Sequence, residues 1–432
     1  MSGVSETSGA AGTPATSTDL RDVARIDTDP APVVVVGCGF PQLGLLRAFR
    51  ARGISTVGLD RSPAAVGVAL ATRFLPVSTA DVDAVIAAVR ATGARGIATS
   101  GSELALTTTV KVAEELGLPF YADTATVRRA QAKDEMRAAY ATAALPLPRF
   151  AAIADVEAAR AFAELAGYPL VVKPANGWGQ RGVARIAREE DLAPLVTEAI
   201  AQSFGGGGAV LEEFLVGPEL SVNGWIEDGE LVAYAVTDRE VFPGEAPLGV
   251  MRSEVYPSRL SARDIESAVQ AARAGAKALG LTAGPCYSQV CVTSRGAVLF
   301  ETAARCGGGF DAEITRLVSG VDFNDRLVDI ALGQAPRLDV RERRHEAALV
   351  RFLPPPVGVV QEIDGVREVA ELEGIVDAAI YASLGDELGG LVNAAARVGH
   401  ILATGDSRAH VVARADAAEA AMRIVVAAPR LR

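Results

Sequence analysis

The feature that most constrains the fold is a run of four valines, Val33 to Val36, which stops at Gly37-Cys38-Gly39 before a helical stretch from about Gln42 to Arg52. A short, unbroken, β-branched run of this kind predicts a strand buried on both faces, as in a parallel sheet covered by helices. The alternation continues with a strand over 55–59, a helix near 81–92, a strand over 96–99 and a helix near 102–116. Strand and helix in turn predict a parallel α/β unit over residues 31–123.

Downstream, a helix is expected around 124–143, ahead of a hinge at Pro146 and Pro148. A second α/β unit follows: a helix over 155–166, a strand over 169–173, a glycine-rich turn over 176–182, and a strand over 209–213 after the Gly205–Gly208 connector. Antiparallel strands are expected at 220–226 and 230–237, a helix over 261–279, and strands at 286–293 and 297–302. Residues 1–30, rich in Ser, Thr, Ala and Gly, read as a disordered leader. The expected division is 31–123, 124–340 with a lid at about 146–213, and an α+β unit over 341–432.

Composition removes several classes of function. The formal net charge of −11 argues against nucleic acid or an anionic membrane as partner. No apolar run reaches the roughly 18 residues of a membrane span. Four cysteines in so long a chain make no disulfide framework, so a reducing cytoplasm is expected. The three histidines all fall in the last quarter, which leaves little material for a Ser-His-Asp triad or a His-rich zinc site. Only four of the 42 basic residues are lysines: Lys111, Lys133, Lys173 and Lys277. Where arginine is the default cation, a retained lysine points to a need for a compact point charge.

Two glycine motifs compete as nucleotide sites. Gly37-x-Gly39 with Asp60 downstream resembles a dinucleotide fingerprint, but position 42 is Gln and the next glycine is Gly44, so a plain strand-to-helix turn is the simpler reading. No Walker-type phosphate loop occurs. Lys173 ends an apolar strand and leads into Asn176-Gly-Trp-Gly-Gln-Arg-Gly182, where Gly177, Gly179 and Gly182 allow backbone N–H groups close to phosphate oxygens. A lysine at the end of a buried strand needs an anionic partner.

Lys133 in Lys-Asp-Glu-Met-Arg137, Lys173 with its glycine loop, and Glu212-Glu213-Phe214-Leu215 with Glu219 resemble, in order and spacing, the ATP-grasp superfamily. The segment around Gly101-Ser-Glu103 is similar to that family's N-terminal Rossmann-like domain. The resemblance implies an ATP-grasp fold of mixed α/β and α+β class, with the Rossmann-like pre-ATP-grasp domain and a small C-terminal α+β domain. It implies that Lys133 and Lys173 contact ATP phosphates, that Glu212, Glu213 and Leu215 line the adenine, and that Glu219 holds the ribose. Gln289 and Glu301, twelve residues apart on an expected hairpin, stand where the family carries metal-ligating acids. Arg305 matches the family's arginine, a candidate to stabilise the reacting groups. Gln289 and Ala303 depart from the usual Glu and Asn, which lightens the site by one charge and one ligand. The implied cofactors are ATP and Mg²⁺, with Mn²⁺ an alternative ion.

Arg351-Phe-Leu-Pro-Pro-Pro-Val-Gly358 and Val398-Gly-His-Ile-Leu-Ala-Thr-Gly405 resemble the closing domain of bacterial L-amino acid ligases, which form dipeptides. That resemblance implies small carboxylate and amine substrates, and a homodimer. It places Arg252, Glu254 and Tyr256 at the amino-acid pocket, where an acidic Glu254 would favour a cationic amine. Gly308, in the Gly307–Gly309 triplet, can add backbone donors or form a plain turn. Three alternatives stay open: a biotin-carboxylase-like or purine-pathway ATP-grasp enzyme, a non-catalytic ATP-binding protein, and an NAD-dependent oxidoreductase.

Overall fold

A computed structural model of the chain describes residues 30–177, 181–244, 247–336 and 344–428; all but the last residue of the expected leader lies outside them. The N-terminal unit is a parallel sheet in the order Arg73–Leu75, Thr56–Leu59, Val33–Val36, Gly96–Ala98. All four valines are fully buried because successive side chains enter different cores. Val34 and Val36 pack with Val57, Leu59 and Ile97, whereas Val33 and Val35 pack with Leu45, Leu46 and Phe49. The three-residue strand Arg73–Leu75 is half-buried and carried no apolar run to announce it.

The turn after Val36 is already full. Gly37 holds φ +98, and a Cβ there would lie 2.8 Å from the Gln42 side chain. Gln42 Oε1 accepts from Gly39 N at 3.1 Å, its Nε2 donates to Ser100 O at 2.6 Å, and Asp60 accepts from Cys38 N at 3.0 Å. The donors that a dinucleotide pyrophosphate would need are therefore satisfied within the protein, as a tight strand-to-helix turn requires.

The centre of the molecule is an eight-stranded antiparallel sheet. Its order is Gly296–Ala303, Gly284–Thr293, Glu219–Glu227, Glu230–Val241, Met251–Tyr256, Ala347–Leu353, Gly399–Gly405, Ile375–Ile380. Glu254 stands opposite Val350, so the sheet runs without a break from the middle of the chain into its C-terminal part. A smaller sheet joins Glu387–Gly389, Val357–Asp364 and Arg423–Ala427. The helix Ala262–Leu279 packs on the central sheet through Ala268, Val269, Ala272, Ala276 and Leu279, at helical spacing. Ser261 caps its start and Gly280, at φ +76, ends it.

A third, four-stranded sheet holds Phe150–Ile153, Ala209–Glu213, Leu170–Pro174 and Ala184–Ile186, all antiparallel. The helices Val156–Ala166 and Leu192–Ala201 cover it. The single helix expected over 124–143 is two, Thr124–Gln131 and Lys133–Thr142, separated by Ala132 in extended backbone. That break sets Lys133 at a helix start, where its N–H donates to Ala175 O at 3.1 Å, just past the Leu170–Pro174 strand.

Trp225, 2% exposed, packs 5.4 Å from Phe323 and 5.2 Å from the Arg326 guanidinium. Trp225→Ala is predicted to cost about 3–5 kcal/mol in chemical denaturation. An unchanged midpoint would contradict this account of the core.

Candidate active site

A cavity of about 720 Å³ opens where the third sheet, the central sheet and the N-terminal unit meet. Lys133, Lys173, Glu212, Glu213, Leu215, Glu219, Gln289, Glu301, Arg305, Gly177 and Gly308 all line it. Gly179 falls outside the described residues. Gly182 does not line the cavity; it turns at φ +66 against the Pro174 ring.

Lys173 has its anion within the protein. Its Nζ lies 2.7 Å from Glu212 Oε2, while Arg137 Nε lies 2.6 Å from Glu212 Oε1. Arg137 also donates to Phe300 O at 2.9 Å, which ties the triad to the hairpin. Burial alone would raise the Glu212 pKa, but Arg137 and then Lys173 outweigh it and hold the carboxyl down at about 2. The Glu212 side chain is thus a buried strut, and any contact to a base is left to its backbone. Lys133 Nζ donates to Gly177 O at 2.7 Å, and burial lowers its pKa, with Glu301 opposing.

The segment that leaves the Ala209–Glu213 strand shows one open donor. Glu213 N–H donates to Arg149 O at 2.8 Å and Phe214 N–H to Pro169 O at 3.2 Å. The Glu213 side chain turns to Arg149 and Arg295. Among the described residues the Leu215 N–H has no partner. Glu219 Oε2 pairs with Arg239 at 2.5 Å.

Gln289 and Glu301 are direct partners across the hairpin, beside a bulge, so both side chains leave the same face. Ala303 stands opposite Tyr287 and is buried. No group of three acids, histidines or cysteines that could hold a metal gathers among the described residues, here or elsewhere. One carboxylate and one amide carbonyl are hard oxygen donors, and Mg²⁺ commonly takes one or two carboxylates plus phosphate oxygens. The donor set fits that ion. Arg305 Nε lies 2.6 Å from Glu103 Oε1, and Glu103 Oε2 accepts from Gln131 at 2.8 Å. Burial would lower the Arg305 pKa, but Glu103 and Glu301 raise it.

Residues 166–313 match the family model described as ATP-grasp domain, and residues 351–427 match L-amino acid ligase C-terminal domain 2. By that match, residues 166–313 are an ATP-grasp domain. An uncharacterised protein of Sinorhizobium fredii is 26% identical over 313 residues, 72% of this chain and 64% of that protein. The fold is shared with the L-amino acid ligase of Bacillus licheniformis, with a TM-score of 0.78 at 21% identity, over 92% of this chain and 98% of that one. It is shared too with the biotin carboxylase domain dimer of Hydrogenobacter thermophilus 2-oxoglutarate carboxylase in complex with MgADP and bicarbonate. There the TM-score is 0.75 at 19% identity, over 91% and 90% of the two chains.

The cavity differs from the sequence expectation around the Met251–Tyr256 strand. Arg252 pairs with Glu419 at 3.1 Å, and Tyr256 packs against the apolar cluster that includes Ile314, Leu317 and Ala348; neither lines the cavity. Glu254 is fully buried, with the Ser221 and Thr237 hydroxyls donating to its two oxygens at 2.5 and 3.1 Å. Burial, then the nearby Asp311, raise its pKa well above the carboxylate range. Buried and with both oxygens held by hydroxyls, Glu254 does not line the cavity, which corrects the selectivity expected from it. The acid that lines the cavity there is Asp311, which with Arg239 and Arg397 went unnamed in the sequence, while Glu103 and Arg137 stood in quoted motifs without a site role. Arg137 had a visible signal, four residues after Lys133 and so on a neighbouring helix face.

Glu212→Gln is predicted to leave two cations uncompensated and to cost about 3–5 kcal/mol at neutral pH. The Glu212 carboxyl is depressed from 4.5 to about 2, so its contribution is full above pH 4.5 and fades as pH falls toward 2. Urea titrations across that window should show the wild-type advantage shrink with acid; a constant difference would contradict the assignment.

Proposed function

We propose that the chain is an ATP-dependent carboxylate–amine ligase that forms an amide or peptide bond through an acyl phosphate. The observation that carries this reading is one cavity lined by Lys133, Lys173, Arg305 and the in-register pair Gln289 and Glu301. ATP lies with its adenine against Glu212, Glu213 and Leu215, the Leu215 N–H donating to a ring nitrogen and Glu219 taking the ribose. Lys133 and Lys173 receive the phosphates, and Gly177, Gly179 and Gly182 belong to the loop over them. A substrate carboxylate attacks the γ-phosphorus, the bond to the β–γ bridging oxygen breaks, and ADP departs. The amine then attacks the acyl carbon, and inorganic phosphate leaves as the amide forms. Lys133 and Lys173 neutralise charge spreading over the phosphoryl oxygens, and Arg305, oriented by Glu103, faces the tetrahedral oxyanion. Glu301 and Gln289 hold Mg²⁺, or Mn²⁺, which when bound supplies Lewis-acid stabilisation of the phosphate oxygens.

The chain acts as a homodimer in this reading, supported by the dimeric biotin carboxylase domain of the same fold. Four free, buried cysteines support a reducing cytoplasm, and no helix among the described residues is long and apolar enough to cross a membrane. The three expected domains, divided near 123 and 340 with a lid at 146–213, remain our working partition. A biotin-carboxylase-like reaction is the second reading, favoured by that same shared fold, and would be revealed by ADP release dependent on bicarbonate.

ADP release with pooled amino acids should require both an acid and an amine, and Lys173→Ala should lower kcat/KM by about 100-fold or more. ATP binding without turnover on any pool would overturn the ligase reading. Gln289→Glu restores a carboxylate at the hairpin, so the Mg²⁺ concentration for half-maximal activity is predicted to fall several-fold. An unchanged Mg²⁺ dependence would remove Gln289 from the metal site.

A further inference from the structure

The cavity walls change character away from the lysines. Counting strands from Gly284–Thr293, the Ala347–Leu353 strand lies four spacings along the sheet, roughly 19 Å at about 4.8 Å per strand. Here Phe352, Tyr381, Phe40 and Phe310, drawn from four distant segments, form one aromatic wall. The Phe40 and Tyr381 ring centroids are 3.6 Å apart, and Phe310 stacks on His400 at 4.1 Å. His400 is 1% exposed and shares a 2.8 Å hydrogen bond with the Tyr381 hydroxyl, which fixes the wall from behind. Phe310 holds φ +65, a conformation that costs a side-chain residue about 1–3 kcal/mol and persists where its surroundings impose it.

Arg397 stands in this wall, its guanidinium 3.6 Å from the Phe352 centroid. It donates to Ala394 O at 2.7 Å and Met251 O at 3.4 Å. Arg137, Arg239 and Arg305 each have a glutamate at the same cavity, but among the described residues no carboxylate lies within ion-pair distance of Arg397. Burial pushes its pKa down to about 10, which leaves it a cation at neutral pH. A largely enclosed guanidinium without its own anion is a place for an incoming carboxylate. Asp311 supplies the opposite sign: it lines the cavity and is 2% exposed, with its Oδ2 accepting from the Gly309 N–H at 2.9 Å and its carboxyl close to that of Glu254.

A cation, an acid and aromatic rings around one space match a zwitterion with a planar apolar side chain. A simple cationic amine would meet Arg397, and a dicarboxylate would meet Asp311. We propose that this end of the cavity binds the amine-donating substrate as an aromatic α-amino acid, with its carboxylate on Arg397, its ammonium at Asp311 and its ring among Phe40, Phe310 and Tyr381. The inference rests on the ligase reading for which substrate is meant, but its binding step needs no turnover.

The test is calorimetric titration of L-phenylalanine, L-phenylalaninamide and L-alanine into the full chain with saturating ADP and Mg²⁺. L-Phenylalanine is expected to bind at least about tenfold tighter than either of the others. Arg397→Gln should weaken L-phenylalanine about 10- to 100-fold while leaving the amide unchanged, because only the carboxylate loses its partner. Phe40→Ala, a change at a half-buried ring on the cavity wall, should erase the preference for phenylalanine over alanine. Equal affinity for acid and amide, or equal losses of both in Arg397→Gln, would overturn the proposal. Tight L-phenylalanine binding without ADP release on any pool would count against the ligase reading alone. Turnover with other amines while L-phenylalanine fails to bind would count against this proposal alone.

Discussion

The buried contact of Glu212 with Arg137 and Lys173 is the constraint on which the rest of the site depends. It joins four pieces at one point: the Lys133–Thr142 helix, the two central lid strands, and the hairpin through the Phe300 carbonyl. Three charges taken out of water are tolerable only because each oxygen of the carboxylate meets a donor at 2.6 or 2.7 Å. The arrangement holds Lys173 extended toward the cavity before any phosphate is present. In the proposed reading, a phosphate reaching Lys173 competes with the Glu212 carboxylate for the same ammonium.

A similar logic operates at Arg305, which Glu103 of the N-terminal unit holds at 2.6 Å. The N-terminal α/β unit is therefore a positioning element for an arginine that it does not contain. Its own glycine turn is filled by Gln42 and Asp60, and the turn's neighbours Phe40 and Pro41 face the shared cavity. A fold often used to hold a cofactor here supplies a wall instead.

Much of this was legible in the sequence, and the parts that were not share a physical cause. Val33–Val36, Leu170–Pro174 and Ala209–Glu213 announce themselves by apolar β-branched runs, because strands buried on both faces cannot alternate. The pairing of Gln289 with Glu301 followed from hairpin spacing, which the register bears out. The short strands Arg73–Leu75 and Ala184–Ile186 are half-exposed and too brief to show a period. The split at Ala132 is invisible because alanine is a strong helix former, and a tertiary contact from Lys133 N–H to Ala175 overrides its propensity. Glu254 misled for a different reason: residue type reveals an acid, but whether it meets solvent or two buried hydroxyls depends on strands 33 and 17 residues away. Arg397 and Asp311 are joined to the site only by the completed sheet, and no local pattern encodes such a meeting.

The uninterrupted central sheet carries a consequence for how this molecule comes into being. Met251–Tyr256 must wait for Ala347–Leu353, which in turn pairs with Gly399–Gly405. Contacts of such long sequence separation close late, after the loop entropy of the intervening chain has been overcome. A chain emerging from the ribosome can therefore assemble its nucleotide half while the Tyr381 and Arg397 wall is still unmade. During that interval the Met251–Tyr256 edge, with Val255 destined for full burial, presents unpaired backbone to its surroundings. Closure of the C-terminal part of the sheet is thus the vulnerable stage of biogenesis, and a cut before Ala347–Leu353 would turn a transient edge into a permanent one.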